Sequence, residues 1–273
     1  MEPALQRRVQ RYGWDKASAY YEVFWQDQLK PAQDLILEMA DILPGDNVLD
    51  TACGTGLISF RALQKLGESG RVTGTDISEK MVAIANSIAL EKQETRIHFE
   101  RMDTEELQLE SNSFDVSLCA LGLMYMPDPR KALEEMHRVL KPGGQMIAAV
   151  WGKRSKCGWA EIFEIVDQHV ASEVCPMFFN LGNPDILKLN FKLAGFSSIK
   201  TNRISTILLY NNENDALGAA FNGGPVALAY NKFSETIKNQ VHEAYLASIA
   251  VYKKGNGYEV PGEFVVTKGV REM

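Results

Sequence analysis

The sequence predicts an α/β fold built around a mostly parallel sheet. Between residues 47 and 151, short apolar runs alternate with amphipathic stretches, and a glycine-rich turn follows the first apolar run. Strands that alternate with helices are joined by right-handed crossovers and lie parallel. The length of 273 residues and the hydrophobic content of 45% suit one such domain with additions.

The first five strands and their helices can be assigned in chain order. Strands are predicted at residues 47–50, 71–76, 96–100, 114–120 and 145–151. Helices are predicted from the glycine-rich turn to about residue 65, and at 79–91 and 129–140. Residues 141–144, with the sequence KPGG, are predicted to form a turn before the fifth strand.

The pattern changes after residue 151. We expect helices at 159–172 and 185–194, a strand within 197–209, a helical stretch at 212–252 that is interrupted by a Gly-Gly-Pro sequence at 223–225, and a strand at 259–268. These runs bring the sheet to seven strands. We expect a single domain over 1–273, with a helical lid at 1–28, a core at 29–209 and 258–273, and a helical cap insertion at 210–257 before the last strand.

The amino-terminal region reads as two helices. Residues 15–28 and 30–41 both have apolar residues at helical spacing, and Pro31 stands at the start of the second stretch. Proline removes a backbone donor and clashes with the preceding turn, so it favours a break or a first turn at this position. We therefore expect the chain to break between the two helices.

Composition and charge narrow the classes of partner. The formal net charge is −6, which disfavours nucleic acid as the main partner because such binding depends on Lys and Arg against phosphates. Residues 1–30 contain no apolar stretch of the signal-peptide type. No segment of the sequence comes close to the roughly 18 consecutive apolar residues that a membrane-spanning helix needs. We expect no membrane insertion. The oligomeric state is left open.

The four cysteines are widely spaced and form no CxxC pair. Each of Cys53, Cys119, Cys157 and Cys175 stands in an apolar or glycine-rich stretch. This usage is typical of free thiols in a reducing compartment. Together with the missing targeting segment, it predicts a cytoplasmic protein.

The glycine-rich turn at 48–56, VLDTACGTG, joins the first strand to the first helix of the alternating region. Small residues let the backbone approach a ligand, and free amides at a helix start favour negative charge. In an open α/β sheet, ligands bind beyond the carboxyl ends of the strands. A tight turn without a ligand would have the same sequence, so this signal needs a second one.

Asp76 is that second signal, because it ends the second strand about twenty residues beyond the turn. An acidic residue at this spacing accepts hydrogen bonds from ribose hydroxyls. Ser78 is the better cap for the next helix, so Asp76 is expected to be freer for a ligand. The turn lacks the G-x-G-x-x-G spacing of a dinucleotide site, and Asp50 would repel a pyrophosphate. These features favour S-adenosylmethionine (SAM) over NAD.

Several motifs together resemble those of the class I SAM-dependent methyltransferases, in the branch of the ubiquinone and menaquinone biosynthesis C-methyltransferases. They are VLDTACGTG at 48–56, GTDIS at 74–78, MDTEELQL at 102–109, FDVSLCALGLMYMPDP at 114–129 and HRVLKPGG at 137–144. The resemblance implies a Rossmann-like fold, SAM as cofactor and methyl transfer. Ala52 departs from the glycine that many members have. The resemblance becomes weak after residue 151, which is the region that determines acceptor specificity in this family. It therefore does not imply which acceptor this protein uses.

The resemblance also implies roles at the reacting end of SAM. Asp50, Gly54 and Gly56 would line its methionine end together with the small Ala52. Cys119 and Ala120 would lie at the end of the fourth strand, beside the sulfonium.

A second set of roles concerns the adenosine end of SAM. Asp76 would accept from the ribose hydroxyls, while Ile77 and Met81 would pack on the adenine. Asp103 would accept from the adenine amino group, and the amide of Thr104 would reach a ring nitrogen.

Aromatic residues are concentrated in the amino-terminal segment, at 12, 14, 20, 21, 24 and 25. Aromatic faces attract a sulfonium cation, and similar enzymes use this segment as a lid. Tyr21 is the expected cofactor contact, whereas Phe24 is expected to pack on the core. The expected acceptor contacts are Trp14, Tyr20, Trp25, Tyr125, Trp151 and His169.

A general base is needed only if the acceptor must lose a proton. Of the four histidines, His98 and His137 belong to scaffold elements, and His242 lies in the insertion. His169 is the candidate catalytic residue because it follows the fifth strand, where acceptor sites are often built.

The favoured function is transfer of a methyl group by in-line displacement to a small apolar or aromatic acceptor, since the run after the fourth strand is apolar. Whether carbon, nitrogen, oxygen or sulfur receives the methyl group is open. Cys157 and Cys175 raise the alternative of a metalloid or thiol S-methyltransferase, because thiolates are soft ligands. A further alternative is a SAM-binding protein without catalysis, which would lack an open cavity beside the sulfonium. No metal site is expected.

Overall fold

The computed structural model describes residues 2–171, 175 and 177–272. Its strands are β1 Asn47–Thr51, β2 Arg71–Asp76, β3 Ile97–Arg101, β4 Phe114–Ala120, β5 Leu140–Trp151, β6 Ser197–Tyr210, β7 Lys253–Lys254 and β8 Gly257–Val270. Its α-helices are α1 Pro3–Met39, α2 Leu57–Leu63, α3 Glu79–Glu91, α4 Pro129–Val139, α5 Ile162–Asp167, α6 Ile186–Leu193, α7 Glu213–Leu217, α8 Ala227–Tyr230 and α9 Glu235–Ile249. Short 3₁₀ or π turns lie at Leu123–Tyr125, Arg154–Lys156, Gly218–Asn222 and Ala250–Tyr252.

Seven strands form one sheet in the order β3-β2-β1-β4-β5-β8-β6, and the two-residue β7 pairs with β8. β1 to β5 run parallel, whereas β8 is antiparallel to both of its long neighbours. The mostly parallel α/β sheet expected from the sequence is confirmed. The strand order reverses between β1 and β4, and a crevice opens at such a point beyond the carboxyl ends of the strands.

The amino-terminal region is one helix, so the predicted break at Pro31 is wrong. α1 continues from Pro3 to Met39 with Pro31 inside it. Leu29, Ala32 and Ile36 are almost completely buried on either side of the proline. Burying this apolar face stabilises the helix by more than the missing backbone hydrogen bond costs.

Two further boundaries differ from the predictions. Residues 141–144 belong to β5 instead of forming a separate turn, because Gly143 N–H donates to Arg271 O and Arg271 N–H donates to Gly144 O. The pairing with β4 shifts register at this point, so the segment bulges within the sheet. The helix expected at 159–172 is shorter, Ile162–Asp167, and Ser172 lies outside the described residues.

The helices between β6 and β8 pack against α1. A methyl group added to Gly218 would lie 2.1 Å from Phe24 Cζ, and one on Gly223 would lie 3.1 Å from Trp25 Cδ1. Because these positions are glycine, two aromatic rings of α1 can pack directly against the backbone of the insertion. Within the described residues, no helix has the length and apolar character needed to cross a membrane.

Candidate functional site

The turn after β1 has the left-handed backbone that its small residues allow. Ala52, Gly54 and Gly56 have φ values of +51°, +56° and +89°. For alanine this conformation carries strain on the order of 1 kcal/mol. A methyl group on Gly122 would lie only 2.3 Å from Ala52 Cβ, so the turn fits tightly against the residues that follow β4.

Asp76 connects this turn to the start of α3 through hydrogen bonds. One carboxylate oxygen accepts from Gly54 N–H at 2.9 Å and the other accepts from Ser78 N–H at 2.8 Å. Ser78 Oγ in turn caps α3 by accepting from Met81 N–H, as the sequence predicted. Asp76 is therefore less free than expected. Burial raises its pKa to about 6, although the two amide donors oppose the shift.

Asp50 lies beneath the turn and is completely buried. Its carboxylate accepts a hydrogen bond from Ser59 Oγ, and its second oxygen has no hydrogen-bond partner among the described residues. Burial is the main cause that raises the pKa of Asp50 to about 7, and the nearby Asp76 adds to it. The turn amide of Gly54 is held by Asp76 and not by Asp50.

A cleft of about 700 Å³, counting the part open to solvent, lies over the turn; we call it the cofactor cleft. Nine of the twelve residues expected to bind the cofactor line it: Tyr21, Ala52, Gly54, Asp76, Ile77, Met81, Asp103, Thr104 and Ala120. It also includes residues that the sequence did not indicate: Arg7, Gln10, Glu105, Leu121, Gly122, Met126 and Pro127.

Three expected cofactor residues lie outside the cleft lining. Asp50 and Cys119 are completely buried under it. Gly56 is the residue just before α2, and a methyl group there would lie 2.8 Å from Phe99 Cζ, so packing requires glycine at this position. All three support the cleft from below.

Residues in the first half of α1 form ion pairs and hydrogen bonds with residues at the cleft. Arg7 pairs with Asp103 at 2.9 Å and also with the buried Glu105. Further along, Asp15 accepts from Ser78 Oγ at 2.7 Å. Charged residues on an exposed helix are common, so only the fold could show that these reach the cleft.

A second cavity of about 370 Å³, again counting the part open to solvent, adjoins the cleft; we call it the aromatic cavity. All four tryptophans of the chain line it. Its complete lining is Trp14, Tyr21, Trp25, Leu29, Leu121, Met124, Tyr125, Trp151, Trp159, Phe178, Gly224 and Pro225. None of these described residues carries a charge at neutral pH, so the cavity suits a neutral apolar guest.

Four residues line both spaces and form a shared wall: Trp14, Tyr21, Leu121 and Tyr125. Trp14 meets Tyr21 and Tyr125 edge to face, with ring centroids 5.8 and 5.2 Å apart. Leu121 has a φ of +65°, a strained conformation for leucine. Burial raises the pKa of both tyrosines, so their hydroxyls stay protonated at neutral pH.

The expected acceptor contacts divide into two groups. Trp14, Trp25, Tyr125 and Trp151 line the aromatic cavity. Tyr20 is 48% exposed on α1 and lines neither space. His169 packs against the ring of Phe233 at a centroid distance of 5.8 Å and also lines neither.

The two cysteines behind the metalloid alternative have different surroundings. Cys157 is buried near Glu263, whereas Cys175 Sγ accepts from Gln10 Nε2 at 3.5 Å. Burial raises the pKa of both thiols to about 12, which disfavours the thiolate form that soft metals require. Across the described residues, no group of three or more His, Cys, Asp or Glu side chains could hold a metal ion.

Comparison with known proteins supports a family assignment. Residues 42–175 match the model of a methyltransferase domain. A demethylmenaquinone methyltransferase of Listeria monocytogenes is 33% identical over 134 residues, covering 49% of this chain and 56% of that protein. One of Staphylococcus haemolyticus is 29% identical over 188 residues, covering 64% and 78%. The chain thus spans just over half the length of the first of these curated relatives.

Solved structures share the fold at low sequence identity. The YcgJ protein of Bacillus subtilis superposes with a TM-score of 0.64 at 16% identity, over 89% of this chain and 99% of that one. The [4+2]-cyclase SpnF superposes with a TM-score of 0.55 at 21% identity, over 89% and 81%. At such identities the likeness shows the fold alone.

The cleft fits the cofactor of this family in its chemistry. It offers an acidic residue at the end of β2, apolar side chains from Ile77 and Met81, and a turn at Gly54 that has room for a ligand against its backbone. The motifs, the matched domain and the sheet order agree. Residues 42–175 are therefore a methyltransferase domain that uses S-adenosylmethionine, and over this region the chain is similar to the demethylmenaquinone methyltransferases.

Proposed function

We propose that this protein transfers a methyl group from SAM to a small apolar or aromatic acceptor held in the aromatic cavity. The observation that carries the proposal is the shared wall, which joins a cleft with polar and acidic lining to an uncharged aromatic cavity. The names of the curated relatives agree with a quinone-type acceptor. The acidic net charge of −6 supports a small molecule over nucleic acid as partner.

When bound, SAM would supply an electrophilic methyl group. The acceptor would bond to the methyl carbon in line as the carbon–sulfur bond breaks, and S-adenosylhomocysteine would leave as a neutral thioether. In the proposal, Asp76 binds the ribose hydroxyls with its remaining lone pairs, and Ile77 and Met81 pack on the adenine. Asp103 is already paired with Arg7, so these two side chains together form the adenine end of the cleft. Tyr21 lines the cleft and would lie beside the sulfonium, since an aromatic ring favours a cation.

Acceleration in this proposal comes from orientation and exclusion of water. The hydroxyls of Tyr21 and Tyr125 are the titratable groups of the aromatic cavity among the described residues, and neither ionises near neutral pH. The cavity therefore suits an acceptor that is nucleophilic without help from a charged base. We assign His169 no catalytic role in this proposal.

The two alternatives lose support. The separate, protonated thiols of Cys157 and Cys175 do not form a soft-metal site. A cavity beside the cleft favours an enzyme over a SAM-binding protein without catalysis. The free cysteines support the expected cytoplasmic location.

Methyl transfer can be tested with SAM labelled in its methyl group and a panel of phenols, hydroquinones and neutral ring-nitrogen compounds. Label should enter an apolar acceptor, and Asp76→Ala should abolish most of the transfer. Glu91→Gln, on the exposed face of α3, is the matched control. If S-adenosylhomocysteine binds but no acceptor is labelled, the non-catalytic alternative gains support.

The proposal includes a lid made of residues 1–28 and a cap made of residues 210–257. Its support is that both contribute to the aromatic cavity, through Trp14 and Trp25 from one side and Gly224 and Pro225 from the other. Closing them would exclude water from the reaction. Hydrogen exchange should slow in both segments when S-adenosylhomocysteine and an acceptor are added, while α4 serves as the reference. If the exchange rates of both segments stay the same when the two ligands are added, the lid proposal is wrong.

A further inference from the structure

A third space lies behind the aromatic cavity, with a volume of about 280 Å³ that includes any part open to solvent; we call it the inner pocket. Its lining is Trp25, Trp159, Ile162, Tyr210, Ala219, Ala220, Pro225 and Tyr245. It shares three of these residues with the aromatic cavity, but no described lining residue with the cofactor cleft. The three spaces therefore follow one another in series, and the inner pocket is the one remote from the cofactor cleft.

The residues that line both the aromatic cavity and the inner pocket are Trp25, Trp159 and Pro225; we call them the partition. The two buried indole rings meet edge to face, with centroids 6.3 Å apart. Trp25 also packs on the insertion, because a methyl group on Gly223 would lie 3.1 Å from its Cδ1. Trp25 and Pro225 thus belong to the contact between α1 and the insertion, whereas Trp159 closes the partition from another part of the chain.

Trp159 lies in the turn before α5 and is buried among other aromatic rings. Its ring centroid is 4.8 to 6.0 Å from those of Trp151, Phe163, Phe178 and Phe179. Its Nε1–H has no acceptor among the described residues, so no hydrogen bond to this indole would be lost on substitution. Trp159 therefore contributes to the partition through its size and its packing.

The inner pocket has the chemistry of an alkyl-chain site. Ile162, Ala219 and Ala220 contribute apolar side chains. The hydroxyls of Tyr210 and Tyr245 hydrogen-bond to each other, so they need no partner from a guest. No charged side chain lines the pocket in the described part of the chain. Only the partition separates this apolar space from the aromatic cavity.

We propose that Trp159 is a specificity-determining residue, which limits how far an acceptor can extend away from the methyl donor. Displacing a closely packed indole would sacrifice its contacts with the surrounding rings, so the partition stays closed to a long substituent. The acceptor class is therefore an uncharged aromatic compound whose substituent opposite the methylated atom is short. This inference rests on the proposed function, because it assumes that the aromatic cavity holds the acceptor.

Phenols with a straight alkyl chain in the para position, from methyl to pentyl, measure the available length. The hydroxyl favours the polar cofactor cleft, so the chain points toward the partition. Calorimetry on the wild-type complex with S-adenosylhomocysteine should show an affinity that rises by about three- to fourfold per methylene for the first members. The affinity should then level off or fall. A steady rise through pentyl would overturn the proposal, and this arm needs no variant.

Trp159→Ala should remove the limit by joining the aromatic cavity to the inner pocket. Its affinity should keep rising through pentyl, so that the ratio of pentyl to methyl affinity exceeds the wild-type ratio by about tenfold or more. Phe163→Ala is the matched control, because Phe163 packs against Trp159 but lines none of the three spaces. The control should keep the wild-type ratio. If Trp159→Ala fails to fold, Trp159→Leu retains more of the packing and should show a smaller increase in the ratio.

The remaining outcomes separate this inference from the proposed function. If the affinities of wild type and the Trp159 variant level off at the same chain length, Trp159 does not set the limit, while the acceptor site stands. If no alkylphenol binds although S-adenosylhomocysteine does, the acceptor site itself is wrong and the proposed function fails with it.

Discussion

The cofactor cleft and the aromatic cavity are neighbours with opposite chemistry. The cleft is lined by acidic and basic side chains such as Arg7, Asp76 and Asp103, whereas the aromatic cavity carries no charge among its described residues. The cleft takes most of its lining from the strand ends between β1 and β4. The cavity takes its lining from α1, the residues that follow β4, the end of β5 with the region after it, and the insertion. In the proposed function, the strand ends therefore supply most of the cofactor contacts, and the added segments supply most of the acceptor contacts.

The contact between Gly122 and Ala52, in the lining of the cofactor cleft beside the shared wall, offers the largest expected effect. Gly122→Ala should lower the free energy of unfolding by about 3 kcal/mol, because the new methyl group would lie 2.3 Å from Ala52 Cβ. Adding Ala52→Gly should restore most of this loss, since it removes the clash and relieves a φ of +51°. Urea unfolding of the two single variants and the double variant measures the coupling. A double variant as unstable as Gly122→Ala would contradict the packing.

A substitution at Asp76 should weaken cofactor binding in the cleft selectively. Asp76→Ala should weaken S-adenosylhomocysteine binding by on the order of 1–3 kcal/mol, through loss of charge-assisted hydrogen bonds. Calorimetry gives the affinity, and Glu91→Gln provides a surface control. An unchanged affinity would show that Asp76 only organises the turn through Gly54 and Ser78.

Dependence on pH should distinguish the two regions further, because the buried carboxylates of the described residues, Asp50, Asp76 and Glu105, lie on the cleft side. The pKa of Asp50 is raised to about 7 from an ordinary value of 3.8, so its favourable contribution is complete below pH 4 and is lost as the pH rises through 7. Asp50→Asn should therefore gain stability relative to wild type, by roughly 2 kcal/mol more at pH 8 than at pH 5. Urea unfolding without ligand at both values measures this gain. An equal effect at both values would contradict the raised pKa.

The smallest effect is expected for the thiols. The double variant Cys157→Ser, Cys175→Ser should keep its rate of methyl transfer, with a loss of stability of about 1 kcal/mol per site. The assay with labelled SAM and thermal unfolding check the two parts separately. Loss of turnover with S-adenosylhomocysteine binding and folding intact would revive the thiol alternative.

Much of the fold and of the cleft could be predicted from local sequence. The bounds of β2, α3 and β4 were predicted to the residue, because turn glycines, caps and apolar runs mark them within a few positions. The acidic residue at the end of β2 and the small residues after β1 indicated part of the cleft lining for the same reason, and the family resemblance supplied most of the other expected residues.

Other features depended on contacts between residues far apart in the chain. Pro31 does not interrupt α1, because burial of the helix against the core outweighs a local preference. Arg7 reaches Asp103 across 96 positions of sequence, and no local pattern distinguishes it from an exposed arginine.

The sequence by itself determined the sheet, the glycine turn and the cofactor class, since each depends on residues that are close together along the chain. The tertiary structure alone decided the proposed acceptor site. It brought four tryptophans from positions 14 to 159 around one cavity and kept His169 and Tyr20 out of its lining. The physical reason is that a cavity is defined by which side chains face each other after packing, and that information is absent from the spacing of residues in any single segment.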